Sequence, residues 1–484
     1  MYNQDKTPLL DAITEFIDTR PAYFRIPGHR LERGVSRKWT DKVGKEIFAY
    51  DVTETPFTDD LHSPEGSILE AEGLLKELYG ADKSFFLVNG TTCGNEAMIL
   101  SAAFEEQEIM VARNAHKSAM MGLIMSGAKP VYVMPEILEE WGLQGGIRPE
   151  TVRSAFEEHP HCKALFLVSP SYYGITSNLR ELADICHEYG AMLLVDEAHG
   201  GHLYFHEELP QGALEQGADM CVQSMHKVTG ALTQSSVLHI KSKLADNERV
   251  AQNLHIVQST SPNYLLMTSL DCARYELAMH GQEMMEQALK LAEYAKKKIQ
   301  AIPGFQCMQE EIVGRAGIAG LDKTRIVFSA KELGLTGFAL EELLFQRYAV
   351  NMELADYENV LAIVTYANTQ EEIERLIYAC ESLSNEYLVK EKETYIPPAF
   401  PALPEQVLTP RQAYFSMSEE IPWQQAVGRI SAEMIAPYPP GIPIIYPGER
   451  ITQEVWNYLE KFRREKRHIH GSRDGKLEFI KVIK

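Results

Sequence analysis

Short apolar runs alternate with helix-length amphipathic segments between about residues 66 and 240. The apolar runs predict seven strands, near residues 85–88, 109–112, 131–134, 164–168, 192–195, 220–223 and 236–240. The segments between them predict helices that include residues 68–79, 95–104, 117–126, 149–158 and 179–189. Strands that alternate with helices are typical of a mostly parallel sheet that helices cover on both faces. We therefore expect an α/β domain whose ligands gather at the carboxyl ends of its strands.

The pattern changes after this domain. A long helical stretch of about residues 264–301 is followed by predicted strands at 324–328 and 360–365 and helices at 338–348 and 370–383, which indicate a smaller α+β unit. A proline-rich stretch at 395–404 then breaks the pattern, as a connector would. We predict four parts, namely an N-terminal segment 1–65, a large domain 66–300, a small domain 301–394 and a C-terminal domain 395–484.

Composition and charge narrow the classes of function. Hydrophobic residues make up 45% of the chain and charged residues 24%, which is ordinary for a globular protein. Acidic residues outnumber basic ones by 68 to 47, which gives a net charge of −21. No basic cluster could track a phosphate backbone, so we expect neither a nucleic acid nor an anionic membrane as partner.

The seven cysteines are scattered and form no CxxC pair, which favours reduced thiols in the cytoplasm over disulfides or a zinc site. The N-terminus lacks the apolar core of a signal peptide, and no apolar run approaches the ~18 residues of a membrane helix. Three histidines (His199, His202 and His206) lie close together in sequence but without the helical HExxH spacing, so we expect no metal.

Two polar segments that follow apolar runs carry the candidate chemistry. Asp196 follows the predicted strand at 192–195, and Lys227 comes just after the one at 220–223. A lysine amine can form a Schiff base with pyridoxal 5'-phosphate (PLP), while a carboxylate keeps the pyridine nitrogen protonated. Alone, Asp196 would be read as a helix cap and Lys227 as a solvated lysine, so the two residues support PLP only together.

A third segment could bind the cofactor's phosphate. A strand-like run ends at Gly90, and Thr91 and Thr92 precede a predicted helix, whose N-terminus would favour an anion. Ser224, three residues before Lys227, is a further candidate ligand. The alternative is an ordinary strand–turn–helix junction with capping threonines. The glycine and lysine spacing of a nucleotide P-loop is absent.

A histidine completes this set of candidates. His116 follows the predicted strand at 109–112, where its imidazole could stack on the cofactor ring, although a lone histidine there is more often structural. Lys117 is the rival for the Schiff-base lysine. We prefer Lys227 because it lies downstream of the Asp196 strand and beside Ser224.

Together these segments resemble the Orn/Lys/Arg decarboxylase family, bacterial basic amino-acid decarboxylases with the aspartate-aminotransferase-like fold (fold type I). The resemblance runs through nearly the whole chain and is closest to the short, Bacillus-type arginine decarboxylases, without the N-terminal wing domain of longer relatives. The motifs that carry it are residues 25–29, 59–66, 89–92, 114–117, 196–200, 224–227 and the proline-rich loop 438–449.

The resemblance implies roles for individual residues. Lys227 would hold PLP, Asp196 would pair with its pyridine nitrogen, and His116 would stack on its ring. Residues expected beside the cofactor or its phosphate are Thr91, Thr92, Cys93, Ser224, Ala198 and His199. Position 93 is a cysteine where some relatives have a hydroxyl residue, which puts the role of that side chain in doubt. His226 would touch substrate or phosphate and assist proton transfer.

The resemblance also implies the reaction, in which a basic amino acid loses CO2 and becomes an amine. Arginine is the first choice of substrate, followed by lysine and ornithine, and polyamine biosynthesis is the expected setting. Candidates for contact with the substrate are Asp60, His62, Glu353 and Glu449. The segment at 59–66 would line the neighbouring subunit's site, which implies at least a homodimer. Two alternatives use the same core, namely another PLP reaction such as transamination, and a non-catalytic sensor of PLP or an amino acid.

Overall fold

The computed structural model describes residues 3–389, 397–437 and 442–484. Three features predicted from the sequence fall wholly or partly outside these ranges. They are the domain border at 394, the first two residues of the connector at 395–404 and the first four residues of the loop at 438–449. The division of the chain into four parts stays a prediction.

A seven-stranded sheet forms the centre of the large domain, in the order β1-β7-β6-β5-β4-β2-β3. Its strands are β1 (Lys83–Leu87), β2 (Glu108–Ala112), β3 (Lys129–Val133), β4 (Ala164–Val168), β5 (Met192–Asp196), β6 (Met220–Gln223) and β7 (Ser236–Ile240). Only β7 runs antiparallel to its neighbours β1 and β6, and the other pairs are parallel. The predicted mostly parallel sheet is therefore confirmed.

Fourteen α-helices lie in the described ranges. They are α1 (Pro8–Asp18), α2 (Arg37–Val43), α3 (Ser67–Tyr79), α4 (Gly90–Ala102), α5 (Lys117–Ser126), α6 (Pro149–Glu158), α7 (Leu179–Glu188), α8 (Met225–Val228), α9 (Asn247–Val257), α10 (Tyr264–Gln300), α11 (Gly337–Tyr348), α12 (Gln370–Tyr387), α13 (Pro410–Phe415) and α14 (Gln453–Arg464). The helix predicted from residue 95 begins five residues earlier, because the Gly-Thr-Thr-Cys-Gly run forms its first turn.

Both faces of the central sheet are buried, and successive residues of a strand serve opposite cores. On β5, Leu193 and Val195 belong to one apolar cluster, whereas Met192 and Leu194 belong to the other. This follows from the alternation of side chains along a strand, and it explains why the strand reads as a continuous apolar run. All five residues of β5 are buried, including Asp196 at its end.

The helix α10, 37 residues long, connects the large domain to a four-stranded antiparallel sheet of order β8-β9-β11-β10. Its strands are β8 (Gln306–Cys307), β9 (Arg325–Ser329), β10 (Leu354–Ala355) and β11 (Asn359–Ile363). Two later strands, β12 (Ser418–Pro422) and β13 (Phe479–Ile483), pair with each other. One apolar cluster runs from Phe328 of β9 through Trp423 to Leu459 of α14, so the small and C-terminal parts share a core.

Three two-residue strand pairs complete the strands of the described ranges, namely Ile137–Leu138 with Leu143–Gln144, Ile175–Thr176 with Gly320–Leu321, and Ala436–Pro437 with Ile469–His470. Within the described part of the chain, no helix combines the length and apolar character needed to cross a bilayer.

Candidate active site

A cavity of about 390 Å³ opens at the carboxyl ends of the central strands. Four predicted site residues line it, and each comes just after or at the end of a different strand: Thr91 after β1, His116 after β2, Asp196 at the end of β5 and Lys227 after β6. Ala198 and His199 line the same cavity. The structure therefore brings together residues that are as much as 136 positions apart in the sequence, from 91 to 227.

Lys227 lies in the one-turn helix α8, which begins two residues after β6 ends. Its Nζ atom is 3.0 Å from Nε2 of His199 and 5.1 Å from the centre of the Tyr172 ring. Burial lowers the pKa of Lys227 below its ordinary value, and the charges of Asp196 and Glu353 oppose that shift. A lysine with a lowered pKa presents more of the neutral amine that acts as a nucleophile.

His199 is held between Lys227 and a second cation. Its ring lies 4.2 Å from that of Tyr172, and its carbonyl oxygen accepts a hydrogen bond of 3.0 Å from the buried guanidinium of Arg325. Burial lowers the pKa of His199 well below its ordinary value, and the neighbouring Lys227 and Arg325 add to the shift. The imidazole is therefore neutral, so its Nε2 can share a hydrogen bond with the amine of Lys227.

Asp196 has defined partners for both carboxylate oxygens. Asn95 of α4 donates its side-chain amide to Oδ2 at 2.7 Å, and the backbone N–H of Ala198 donates to Oδ1 at 3.1 Å. The residue is 3% exposed, and no lysine or arginine within the described ranges forms an ion pair with it. A buried carboxylate of this kind can still accept a hydrogen bond from a cationic ligand.

The same Asn95 amide is connected to His116 through hydrogen bonds of Ser118. Its Nδ2 atom also donates to Oγ of Ser118 at 2.9 Å, and Ser118 Oγ lies 2.8 Å from Nδ1 of His116. The backbone N–H of Ser118 donates to the same ring nitrogen, so Nδ1 is an acceptor. Burial lowers the pKa of His116, and Asp196 opposes the shift. The network fixes a neutral imidazole against the cavity.

Two helices begin beside the cavity without a side-chain cap. Asn89 before α4 and Ser224 before α8 make no capping hydrogen bond, although both residue types are common caps. The hydroxyls of Thr91 and Ser224 lie 3.1 Å apart. Uncapped N–H groups at two helix N-termini, with two hydroxyls between them, fit the phosphate of PLP.

Other predicted cofactor residues lie near this point but outside the lining of the cavity. Cys93 is 1% exposed, its thiol donates to the carbonyl of Gly90, and burial raises its pKa to about 12. Thr92 is half-buried in the first turn of α4. His226 is also half-buried, and its Nδ1 lies 3.0 Å from the carbonyl oxygen of Ser235. The rival Lys117 is exposed and does not line the cavity.

The residues predicted to contact substrate are not in the lining of this chain's cavity. Asp60 accepts the backbone N–H of His62, and His62 stacks on His255 with ring centres 4.3 Å apart. Glu353 is exposed, but its charge acts on Lys227. Glu449 is fully buried and forms an ion pair with Arg113.

The guanidinium of Arg113 lies 2.9 Å from the carboxylate of Glu449. The guanidinium also lies 3.9 Å from the centre of the Tyr446 ring and donates to the carbonyl of Ile444. Burial raises the pKa of Glu449 to about 7, and Arg113 opposes the shift. The pair joins the large domain to the C-terminal part instead of facing the cavity.

Several residues of the site carry no signal, or only a weak one, in the sequence. Asn95 and Ser118 lie inside predicted helices, where nothing marks them as partners of Asp196 and His116. Tyr172 carried a usable signal, because it follows the predicted strand at 164–168. Asp356 and Glu358 line the cavity from the turn between β10 and β11, and no pattern in the sequence pointed to them.

The histidines near 200 are bonded to carboxylates. His202 lies 3.0 Å from Asp322, and His206 lies 3.0 Å from Glu286. Within residues 3–389, 397–437 and 442–484, no group of three or more histidine, cysteine, aspartate or glutamate side chains could hold a metal ion. All seven cysteines are free thiols, and only Cys272 is more than slightly exposed.

Comparison with known proteins gives the site a context. The sequence profile described as "Orn/Lys/Arg decarboxylase, major domain" matches residues 7–326, and that of its C-terminal domain matches residues 393–474. The arginine decarboxylase of Bacillus anthracis is 38% identical, over 100% of this chain and 98% of its own length. The arginine decarboxylase of Bacillus subtilis is 37% identical, over 100% and 99% respectively.

The constitutive lysine decarboxylase of Escherichia coli has a similar structure, with a TM-score of 0.85 and 22% identity over 99% of this chain and 82% of that one. The fold is the aspartate-aminotransferase-like fold (fold type I), as the sequence motifs predicted.

Proposed function

The chain belongs to the Orn/Lys/Arg decarboxylase family, and we propose that it uses PLP to decarboxylate a basic L-amino acid, with arginine as the first substrate and agmatine as the product. One observation carries the proposal, namely that Lys227, Asp196 and His116 line a single cavity at the carboxyl ends of the central strands. Full-length similarity to two Bacillus arginine decarboxylases supports arginine over lysine and ornithine.

The residues around the cavity fit the cofactor group by group. Lys227 would carry PLP on its amine, Asp196 would accept the pyridinium N–H, and His116 would stack on the ring. Thr91, Ser224 and the two uncapped helix N-termini would hold the phosphate. When bound, PLP supplies an electron sink that accepts the electron pair left when CO2 departs.

Side chains of the protein would carry out the proton transfers at the lysine amine and at the substrate's α-carbon. The lowered pKa of Lys227 favours the neutral amine, and its hydrogen-bond contact with Nε2 of the neutral His199 would orient that amine in the cavity. The same pair can return a proton to the substrate's α-carbon after CO2 has left. His226 remains a candidate for assisting this step, from a position outside the lining of the cavity.

The charges favour a cationic substrate. Four carboxylates line the cavity, whereas Lys227 is the only lysine or arginine among its described lining residues. The exposed Glu139 is screened by solvent, so the partly buried carboxylates would chiefly attract a guanidinium or ammonium group. We propose that the charge of Glu353, which acts on Lys227, serves the reacting end of the substrate.

We propose that residues 59–66 contribute to the active site of a second subunit. Asp60 and His62 do not line this chain's cavity, so a role for them requires the site of a partner copy in a homodimer. An active homodimer in the cytoplasm that supplies agmatine to polyamine biosynthesis is the setting we propose.

The test is product analysis with purified protein and PLP, offered arginine, lysine and ornithine separately. We expect CO2 and agmatine from arginine at the highest kcat/KM. Cadaverine or putrescine as the main product would change the substrate and keep the reaction. Transfer of the amino group to a 2-oxo acid without CO2 would favour an aminotransferase. Binding without any turnover would favour a sensor, and both of these results would contradict the proposal.

A further inference from the structure

The cavity is lined by more carboxylates than the proposed chemistry uses. They are Glu139, Asp196, Asp356 and Glu358. Asp196 is bonded to Asn95 and to the N–H of Ala198, and the proposed function assigns it to the cofactor. The other three come from the loop after β3 and from the turn between β10 and β11, so they belong to a different wall.

Both carboxylate oxygens of Asp356 already accept hydrogen bonds from the protein. Its Oδ2 accepts the Tyr173 hydroxyl at 2.7 Å, and its Oδ1 accepts the backbone N–H groups of Glu358 and Asn359, both at 2.8 Å. The side-chain amide of Asn359 adds two more contacts at 3.1 Å. A carboxylate with this many donors has no capacity left for a ligand, and its role is to fix the turn that presents Glu358.

Glu358 is different, because its carboxylate has no hydrogen bond or ion pair with any residue in the described ranges. The residue is half-buried, and burial raises its pKa, while the charge of Lys331 opposes the shift. Lys331 is itself engaged, since its Nζ donates to the carbonyl of Glu140 at 2.9 Å. A partly buried carboxylate without a protein partner keeps both oxygens available to a cationic ligand.

A glycine holds the Glu358 carboxylate in position. Gly142 adopts a left-handed backbone with φ +59°, and a β-carbon at this position would collide with Oε2 of Glu358. The carboxylate therefore rests directly on the backbone of Gly142. The neighbouring Trp141 carbonyl accepts the Asn359 amide at 2.8 Å, so the two loops are fixed to each other.

We propose that Glu358 binds the distal cationic group of the substrate and thereby selects basic amino acids. This rests on the proposed function, which assigns the same cavity to the reaction. A guanidinium offers two parallel N–H donors to one carboxylate, whereas an ammonium offers a point charge. The apolar side chains of Leu143, Tyr172 and Phe338, which line the same cavity, would contact the methylene stem.

Four variants of the PLP-loaded protein test this assignment. Glu358→Gln removes the charge, Glu358→Asp keeps the charge but withdraws it, and Gly142→Ala displaces the carboxylate without changing it. Glu139→Gln is the matched control, because Glu139 is an exposed carboxylate of the same wall. Binding of agmatine is measured by calorimetry, and kcat/KM is measured for arginine and for citrulline, its neutral analogue.

We expect Glu358→Gln to weaken agmatine binding and lower kcat/KM for arginine by about 10- to 100-fold, the usual effect of losing a charged hydrogen bond. The preference for arginine over citrulline should fall with it, while the absorbance of bound PLP stays unchanged. Gly142→Ala should act in the same direction, and Glu139→Gln should stay within about twofold of the wild type.

Wild-type affinity and arginine preference in Glu358→Gln would overturn the assignment, as would a larger loss in Glu139→Gln. These results are separable from failure of the proposed function. If the wild-type protein released no CO2, agmatine binding to the wild type and to Glu358→Gln would still show whether Glu358 holds the cation. Failure of the wild type to bind agmatine at all would overturn both.

Discussion

The amine of Lys227 lies 3.0 Å from Nε2 of His199, and both side chains are directed into the same cavity. Burial lowers the pKa of both residues, which favours a neutral imidazole and more of the neutral amine than in water. Lysine and imidazole come from different strands of the sheet, β6 and β5. Their contact is the structural basis for assigning proton transfer to this part of the site.

The carboxylate of Asp196 should be essential for turnover. Asp196→Asn removes the charge that would keep the pyridine nitrogen protonated, so we expect kcat for arginine to fall by about 100-fold or more. The matched control is Asp219→Asn, a buried carboxylate that is bonded to His187 outside the cavity lining. Steady-state kinetics on folded protein measures both variants. Near-full activity of Asp196→Asn would refute the role assigned to this residue.

The phosphate site can be tested through cofactor affinity. Thr91→Val and Ser224→Ala should each raise the Kd for PLP by about 10-fold or more, because each removes a hydrogen bond to a charged group. Fluorescence titration of the apoprotein gives the Kd. Cys93→Ser is the control, since the Cys93 thiol is bonded to the carbonyl of Gly90. If only the Cys93 variant lost affinity, the assignment of the phosphate ligands would be wrong.

Glu449 should matter for stability and not for substrate. Glu449→Gln leaves the guanidinium of Arg113 buried without its carboxylate partner, so we expect the free energy of unfolding to fall by about 3 kcal/mol. The KM for arginine should change by no more than about twofold, since distant sites act independently. Thermal denaturation and kinetics give the two values. A large rise in KM with unchanged stability would return Glu449 to the list of substrate residues.

The buried carboxyl of Glu72 should make the free energy of unfolding depend on pH. It is fully buried beside β1, its carboxylate accepts the N–H of Phe86, and burial raises its pKa to about 8 from an ordinary 4.5. Because its pKa is raised in the folded state, the folded protein binds the Glu72 proton more tightly than the unfolded chain does. The contribution of Glu72 to the free energy of unfolding is therefore fully present below about pH 4.5 and is lost as pH rises towards 8. Glu72→Gln should remove this loss.

The comparison is between melting temperatures of the wild type and Glu72→Gln at several pH values between those limits. The wild-type melting temperature should fall more steeply with rising pH than that of the variant. Parallel curves would mean that another group controls this range.

The sequence predicted the sheet well because its strands are buried on both faces. The apolar run at 192–195 predicts a strand that a carboxylate follows, and in the structure this strand extends one residue further, to Asp196. The start of α4 was wrong by five residues, because glycine and threonine have low helix propensity. In the structure these residues occupy the first turn, where their N–H groups have no intrahelical partner.

The contacts that define the site were harder to predict. The hydrogen bond between Asn95 and Asp196 joins residues 101 positions apart, and no local pattern encodes it. The same holds for Glu358, which is one acid among 68 acidic residues until the fold places it against Gly142 and the cavity. Patterns along the chain reveal which residues end strands, but the pairing of side chains across elements is determined by the tertiary structure.

Reductive trapping tests directly whether the cofactor is attached to Lys227. The protein is incubated with PLP and reduced with borohydride, which makes the link between a lysine amine and the cofactor permanent. Peptide mass mapping then locates the modified residue. We predict the modification on the peptide that contains Lys227 and its absence from Lys227→Ala. Modification of Lys117 instead, or no modification of any lysine, would contradict the account.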